Sequence, residues 1–142
     1  MSAGIARGEL ENIQARLKTK FWMAKKYNSK LKDIRGLSLP VTMPGVINVF
    51  WMYAVTIDKK YFGMDRDIFA DRLSQKGVQT RNFFYPPNIQ PVLLEKGCVG
   101  KADRFPVSED ISKRGLYLPS GLAITSDQID YVCETIRSLM DN

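Results

Sequence analysis

Residues 80–91 read Thr80-Arg81-Asn82-Phe83-Phe84-Tyr85-Pro86-Pro87-Asn88-Ile89-Gln90-Pro91. Aromatic and β-branched residues lead in as a strand. The Pro-Pro step then stops it, because proline fixes φ and has no N–H to give to a ladder. The chain must leave its sheet here in a stiff, extended turn. A rigid turn with a cation, a phenol and amides at a strand end suits a polar ligand. An ordinary strand end, with packed aromatics and a surface arginine, is the competing reading.

On the C-terminal side, a short apolar segment at Val92-Leu93-Leu94 precedes the flexible Glu95-Lys96-Gly97. Ser108 is expected to cap a short helix, with Glu109 and Asp110 at its positive end and Lys113 and Arg114 at its negative end. Gly115 ends that helix. Leu116-Tyr117-Leu118 reads as a strand broken by Pro119-Ser120-Gly121. In that turn Gly121 is expected to take a backbone conformation closed to other residues, and Ser120 to bond its own backbone. Thr125 and Gln128 have capping-box spacing. The helix they open carries Ile129, Val132, Cys133, Ile136, Leu139 and Met140 on one face.

On the N-terminal side, residues 78–84 read as a strand and residues 46–57 as another. In the second, Trp51, Tyr53, Val55 and Ile57 fall on one face, with Phe50, Met52, Ala54 and Thr56 on the other. Between the two strands, residues 58–63 read as a loop. Asp65 caps a helix running to Lys76, with Ile68, Phe69 and Leu73 inward and Gly77 as its left-handed stop. Earlier still, Leu10, Ile13, Leu17, Phe21, Ala24, Tyr27 and Leu31 recur at steps of three and four, which predicts one helix of about seven turns. Trp22 and Met23 lie beside this stripe, and Gly36 and Pro40 end it. So long an apolar face needs more partner surface than a small domain offers. The organisation expected is therefore an interface helix over 1–36 and an α+β domain over 37–142, two-layered, with a small and mostly antiparallel sheet covered by helices.

The 142 residues are 44% apolar and 25% charged, ordinary values for a soluble single domain. No apolar run is long enough to span a bilayer, and the N-terminus lacks the apolar core of a secretory signal. A cytoplasmic protein is expected, without a membrane partner. Cys98 and Cys133 are too few and too far apart for a disulfide framework or a zinc site, and no metal-ligand cluster is visible. The net charge of +6 resides largely in the first helix. A solvated helix face explains it better than nucleic-acid binding, for which a salt-sensitive mobility shift would be the sign. Histidine is absent, which removes the commonest general base.

Three motifs, in order and spacing, resemble the C-terminal part of sugar-nucleotide aminotransferases of the DegT/DnrJ/StrS type, close to perosamine synthetases. They are the Arg81-to-Pro86 turn with Gln90-Pro91, the run Phe105-Pro106-Val107-Ser108 through Pro119-Ser120-Gly121-Leu122, and the closing Thr125-Ser126-Asp127-Gln128-Ile129 helix. Gly8-Glu9-Leu10-Glu11-Asn12-Ile13 is similar to the start of that family's interdomain helix. The resemblance implies the small domain of a fold-type-I enzyme that uses pyridoxal 5'-phosphate. It also implies that the Schiff-base lysine and most cofactor contacts belong to an N-terminal domain, so no catalytic or cofactor-binding residue is assigned in this chain and it is not expected to transaminate alone. By the same resemblance Arg81, Tyr85 and Asn88 are the substrate-binding candidates: Arg81 for substrate phosphate, Tyr85 for a hydrogen bond or stacking. Asn88 stands where many relatives have a histidine, which leaves a hydrogen-bonding side chain without a titratable one. The partners implied are the PLP domain or a second subunit, a further copy of the chain, and a nucleotide-linked keto-sugar. A free-standing, non-catalytic module that binds nucleotide sugars or a partner chain is the alternative. Weak or no ligand binding is expected of the chain by itself.

Overall fold

The structure, a computed structural model, describes residues 2–100 and 102–140. Two helices open it, α1 (Ser2–Glu11) and α2 (Ile13–Leu31). The stripe expected to form one helix is thus interrupted at Asn12, whose backbone leaves helical geometry at ψ 0° and whose side-chain amide donates to the Gly8 carbonyl at 3.1 Å. Only the second half of α2 is buried, through Met23, Ala24, Tyr27 and Leu31. Met23 is a core residue rather than a flanking one, while Leu10 and Ile13 are exposed.

Four short strands follow: β1 (Leu37–Ser38), β2 (Tyr53–Ile57), β3 (Arg81–Asn82) and β4 (Gly115–Leu118). Their spatial order is β1-β2-β4-β3, and every pairing is antiparallel. The register sets Tyr53 opposite Leu118 and Arg81 opposite Tyr117. In β2 the side chains of Tyr53, Val55 and Ile57 are buried and those between them half-buried. That alternation is what one covered sheet face requires.

The strand expected over 46–57 is therefore only its last five residues. The Asn48 side chain accepts from the Phe50 N–H at 2.9 Å, and Phe50 sits at φ 48°. An Asx turn followed by a left-handed residue diverts the backbone from a ladder despite its β-rich composition. The strand expected over 78–84 is likewise confined to β3, although the Phe83 N–H still reaches the Gly115 carbonyl at 3.3 Å. β4 is only four residues long and has little ladder to offer.

The remaining helices are α3 (Lys59–Phe62), α4 (Arg66–Gln75), α5 (Pro91–Glu95), α6 (Pro106–Arg114) and α7 (Ser126–Ser138). Residues 58–63, expected as a loop, hold α3: Asp58 caps the Lys60 N–H and Gly63 closes the turn in the left-handed region. The Asp65 cap and the left-handed Gly77 stand as expected around α4. Phe69 and Leu73 are buried, but Ile68 faces outward. Ser108 does not cap α6. Phe105 holds that position and Pro106 takes the first helical place, where its missing N–H costs nothing. The Thr125–Gln128 capping box is complete in both directions. In α7 the residues Ile129, Val132, Cys133 and Ile136 are buried against α2 and the sheet.

The core thus joins the buried side chains of the sheet to those of α2 and α7, and also takes in Phe62 of α3 and Phe69 and Leu73 of α4. Its centre is the stacked pair Tyr27 and Tyr53, with ring centroids 4.6 Å apart. Both phenols are hydrogen-bonded, Tyr27 to the Pro119 carbonyl at 2.8 Å and Tyr53 to Asn28 Oδ1 at 2.6 Å. Burial raises both hydroxyl pKa values, so each remains a donor. On the outside, Asp130 of α7 pairs with Lys26 and Lys30 of α2, each at 2.6 Å.

Candidate functional site

β4 is the axis of the site. Gly115 opens it with no room for a side chain, since a Cβ there would meet the Phe83 ring at 2.2 Å. That ring therefore slides over the strand and stacks on Tyr117, with centroids 4.6 Å apart and planes at 20°. Phe84 lies 5.9 Å from Tyr117, and Trp51 lies 6.4 Å from Phe84. A row of aromatic rings thus crosses the interior strand β4 at Tyr117, on the sheet face opposite Leu116 and Leu118, and ends in the exposed Trp51.

Beside this row is a cleft of about 510 Å3, lined among others by Lys20, Trp51, Thr80, Arg81, Tyr117 and Ser120. Arg81 is exposed in β3, and its guanidinium has no hydrogen-bond or ion-pair partner among the described residues. Lys20 is anchored. Its ammonium donates to the Trp51 carbonyl at 3.0 Å and to the Ser120 carbonyl. Burial lowers its pKa, because the charged form loses water. The Ser120 hydroxyl in turn accepts from the Tyr53 N–H at 3.3 Å. The Pro119-Ser120-Gly121 turn thus ties α2, residues 46–52 and β2 together. Ser120 bonds a distant strand rather than its own neighbours. Gly121 is not among the glycines with positive φ, so its expected left-handed role is not realised.

The Pro turn leaves the sheet after β3 and passes into a 3-10 turn at Pro87–Ile89. It is braced from both sides: the Gln90 amide donates to the Tyr85 carbonyl at 2.9 Å, and the Ser112 hydroxyl to the Phe84 carbonyl at 3.1 Å. Tyr85 itself is exposed and lines a second cleft of about 350 Å3 with Phe84, Pro86 and Ile111. Asn88 is buried. Its amide donates to Glu109 Oε1 at 2.7 Å, and its own Oδ1 has no protein donor among the described residues. Glu109 also accepts from the Phe105 N–H at 3.1 Å. That backbone bond first, and Asn88 second, hold the carboxyl below its usual range. Asn88 lines a smaller hollow of about 170 Å3 with Val99 and Phe105. Arg81, Tyr85 and Asn88 therefore open onto three adjoining hollows rather than one. Tyr117 is shared by the first two and Pro86 by the second and third.

Lys20 and Trp51 are cleft residues that the sequence did not single out. Lys20 resembled any other cation on a basic helix. Trp51 was placed on a strand face that does not exist at that residue.

The profile of the DegT/DnrJ/EryC1/StrS aminotransferase family matches residues 1–137. The chain belongs to that family. A GDP-perosamine synthase of Vibrio cholerae is 29% identical over 143 residues, covering 97% of this chain and 36% of that protein. A dTDP-4-amino-4,6-dideoxy-D-glucose transaminase of Shigella dysenteriae is 27% identical, covering 92% of this chain and 35% of the other. In fold, the chain matches the DesV protein of S. venezuelae, solved with a ketimine intermediate, at a TM-score of 0.84 and 23% identity. That match covers 99% of this chain and 36% of the other. The chain thus spans about a third of the length of the curated relatives it matches, and its α+β fold is that of part of a PLP aminotransferase.

The residues of the described clefts do not by themselves fit pyridoxal phosphate. The 510 Å3 cleft has no Asp or Glu in its lining to face a pyridinium nitrogen. Its one lysine has its amine tied to two carbonyls. What this arrangement offers is fixed cationic charge beside aromatic faces, which is equipment for binding an anion with an aromatic part.

Proposed function

We propose that this chain forms the C-terminal small domain of a pyridoxal-phosphate aminotransferase that acts on a nucleotide-linked keto-sugar, and that it is not a complete catalyst by itself. The observation that carries the proposal is the family match over 1–137 in a chain a third the length of its relatives. The PLP-bearing lysine and the cofactor cradle are then supplied by a further polypeptide segment or by a partner subunit. The uncovered part of α1 and α2, within residues 1–36, meets it, and the α+β domain over 37–142, whose core takes the second half of α2, helps close the site. The assembled protein is a cytoplasmic homo-oligomer, in which an amino group passes from a donor such as glutamate to the sugar.

Within this reading Arg81 binds substrate phosphate. An exposed guanidinium without a protein partner retains its full donor fork for two aligned bonds to phosphate oxygens. Tyr85 contacts the substrate from the braced turn. Asn88 offers its unpartnered Oδ1 to a donor on the ligand, while its amide keeps the turn fastened to Glu109 of α6.

The genomic sequence upstream of the Met1 codon, followed by assays of the encoded protein, tests the proposal. An in-frame segment encoding the remaining two thirds of a family member, and PLP-dependent transamination by the joined protein but not by this chain, is the expected outcome. A stop codon immediately upstream with no partner gene nearby would turn the assignment toward a free-standing binding module. Transamination by the chain alone would overturn it.

A further inference from the structure

The 510 Å3 cleft contains two cations and no carboxylate in its lining. Lys20 is the less expected of the two. It reaches across from α2 to the Trp51 carbonyl, 31 residues away, and to the Ser120 carbonyl, 100 residues away. An ammonium has three N–H donors. Two are used by these carbonyls, and the third has no protein acceptor among the described residues. Neighbouring Lys26 and Lys30 instead share one carboxylate, that of Asp130. Lys20 alone of the three has no carboxylate partner among the described residues, and it is the one that lines the cleft. A fixed, uncompensated charge of this kind, next to the free Arg81, suits a ligand with more than one negative charge. The aromatic wall of Trp51 and Tyr117 suits a planar ring attached to it.

We infer that Lys20 is a second anion-binding residue, which with Arg81 grips the diphosphate of a nucleoside diphosphate whose base lies against Trp51. The inference rests on the reading of this cleft as the substrate-phosphate site. Because the same ammonium also fastens residues 46–52, a purely positioning role is the alternative that the experiment must separate.

The two indole N–H groups make the measurement possible. Trp51 lines the cleft, whereas Trp22 lies on α2 outside its lining and serves as the control. The full chain is titrated with inorganic pyrophosphate, GDP and uncharged guanosine while both indole resonances are followed by NMR. Pyrophosphate and GDP are expected to shift or broaden the Trp51 signal and leave Trp22 unmoved. Lys20→Met and Arg81→Ala should each weaken both anions by about tenfold or more, as expected for loss of a charge-assisted bond. Guanosine should be affected little, and Lys20→Arg should restore most of the anion binding. If Lys20→Met weakens guanosine as much as GDP, Lys20 only positions the wall and the inference fails. If Arg81→Ala weakens the anions but Lys20→Met does not, the inference fails while the cleft reading stands. The titration runs to millimolar probe, where the weak binding expected of the chain by itself is still visible to NMR; if none of the probes moves Trp51 in the wild-type chain there, the cleft reading falls and takes this inference with it.

Discussion

Gly36 and Gly63 share a backbone conformation, with φ +83° and +84°, but not an environment. At both, alanine must enter the left-handed region, at a cost of about 1–2 kcal/mol. At Gly63 the added Cβ meets nothing within 4 Å. At Gly36 it would stand 2.5 Å from the Phe62 nitrogen and 2.8 Å from the Tyr61 carbonyl carbon. Both obstacles are backbone, so no side chain can swing away and α3 itself must move. That movement is resisted. The Gly36 carbonyl accepts from the Asp58 N–H at 2.8 Å, and Phe62 is buried edge-on against Phe69 with centroids 4.8 Å apart. Forced repacking of this kind adds about 1–3 kcal/mol. Gly63→Ala is therefore expected to cost about 1–2 kcal/mol, and Gly36→Ala about 2–5 kcal/mol. Against a total stability of about 5–15 kcal/mol the second is severe. Urea unfolding of the two variants measures the difference directly, provided the m-value is unchanged. Equal midpoint shifts would refute the steric argument, since they would mean that α3 yields freely.

Three further outcomes follow from other parts of the molecule. Asp130 is held below the usual carboxylate range, by Lys26 first and Lys30 second; a depressed folded pKa means that its contribution is present above the ordinary carboxylate value and is lost as pH falls through the folded one. The melting temperature of Asp130→Asn should thus lie below that of the wild type near neutral pH and converge on it as pH falls below the ordinary carboxylate range, and a gap that stays constant from neutral pH into that acid range would contradict the ion-pair account. Burial pushes the Cys133 thiol up to about 11, whereas Cys98 is exposed; an alkylating reagent at neutral pH should add one group to the native chain and two after denaturation, as read by mass, and double labelling of the native chain would refute the buried placement. Phe21, Trp22, Ile47 and Trp51 are 40%, 41%, 79% and 68% exposed, so the chain alone should self-associate or bind a hydrophobic dye at tens of micromolar, and a compact monomer silent to dye would argue against a missing cover.

Where partners lie close in sequence, the fold was legible. Thr125 and Gln128 face each other across three residues, and Asp65 reaches Ile68 across three more, so the residue types at that spacing were enough. Residues 46–52 were not legible for the same reason reversed. Their composition favours a strand, but one side-chain bond from Asn48 and one left-handed residue at Phe50 override it. Ile68 shows a subtler limit: its helix was correctly bounded, but which side of it faces the sheet is decided by tertiary packing. In the site, Arg81 and Tyr85 were visible because they sit on the turn that punctuates the chain. Lys20 was hidden because its two acceptors lie 31 and 100 residues away and are both carbonyls, which every residue possesses.

The long apolar stripe of the first helices and the cleft are physically linked. No described side chain before Met23 is buried, so the domain's own core takes only the second half of α2. Lys20, Phe21 and Trp22 lie at the end of the uncovered half. Phe21 packs edge-on against Phe50, with centroids 6.5 Å apart at 86°. Phe50 adjoins Trp51, whose carbonyl Lys20 holds. A surface that covers Phe21 and Trp22 would therefore also brace residues 46–52, which form one wall of the cleft. Without that cover, the wall rests on the Lys20 bonds and the Asn48 turn, and part of a ligand's interaction energy goes into ordering it. Weak binding is therefore expected of the chain alone, without any loss of the groups that contact the ligand. On this argument, docking the helix and tightening the cleft are one event, and affinity should rise with whatever buries Phe21 and Trp22.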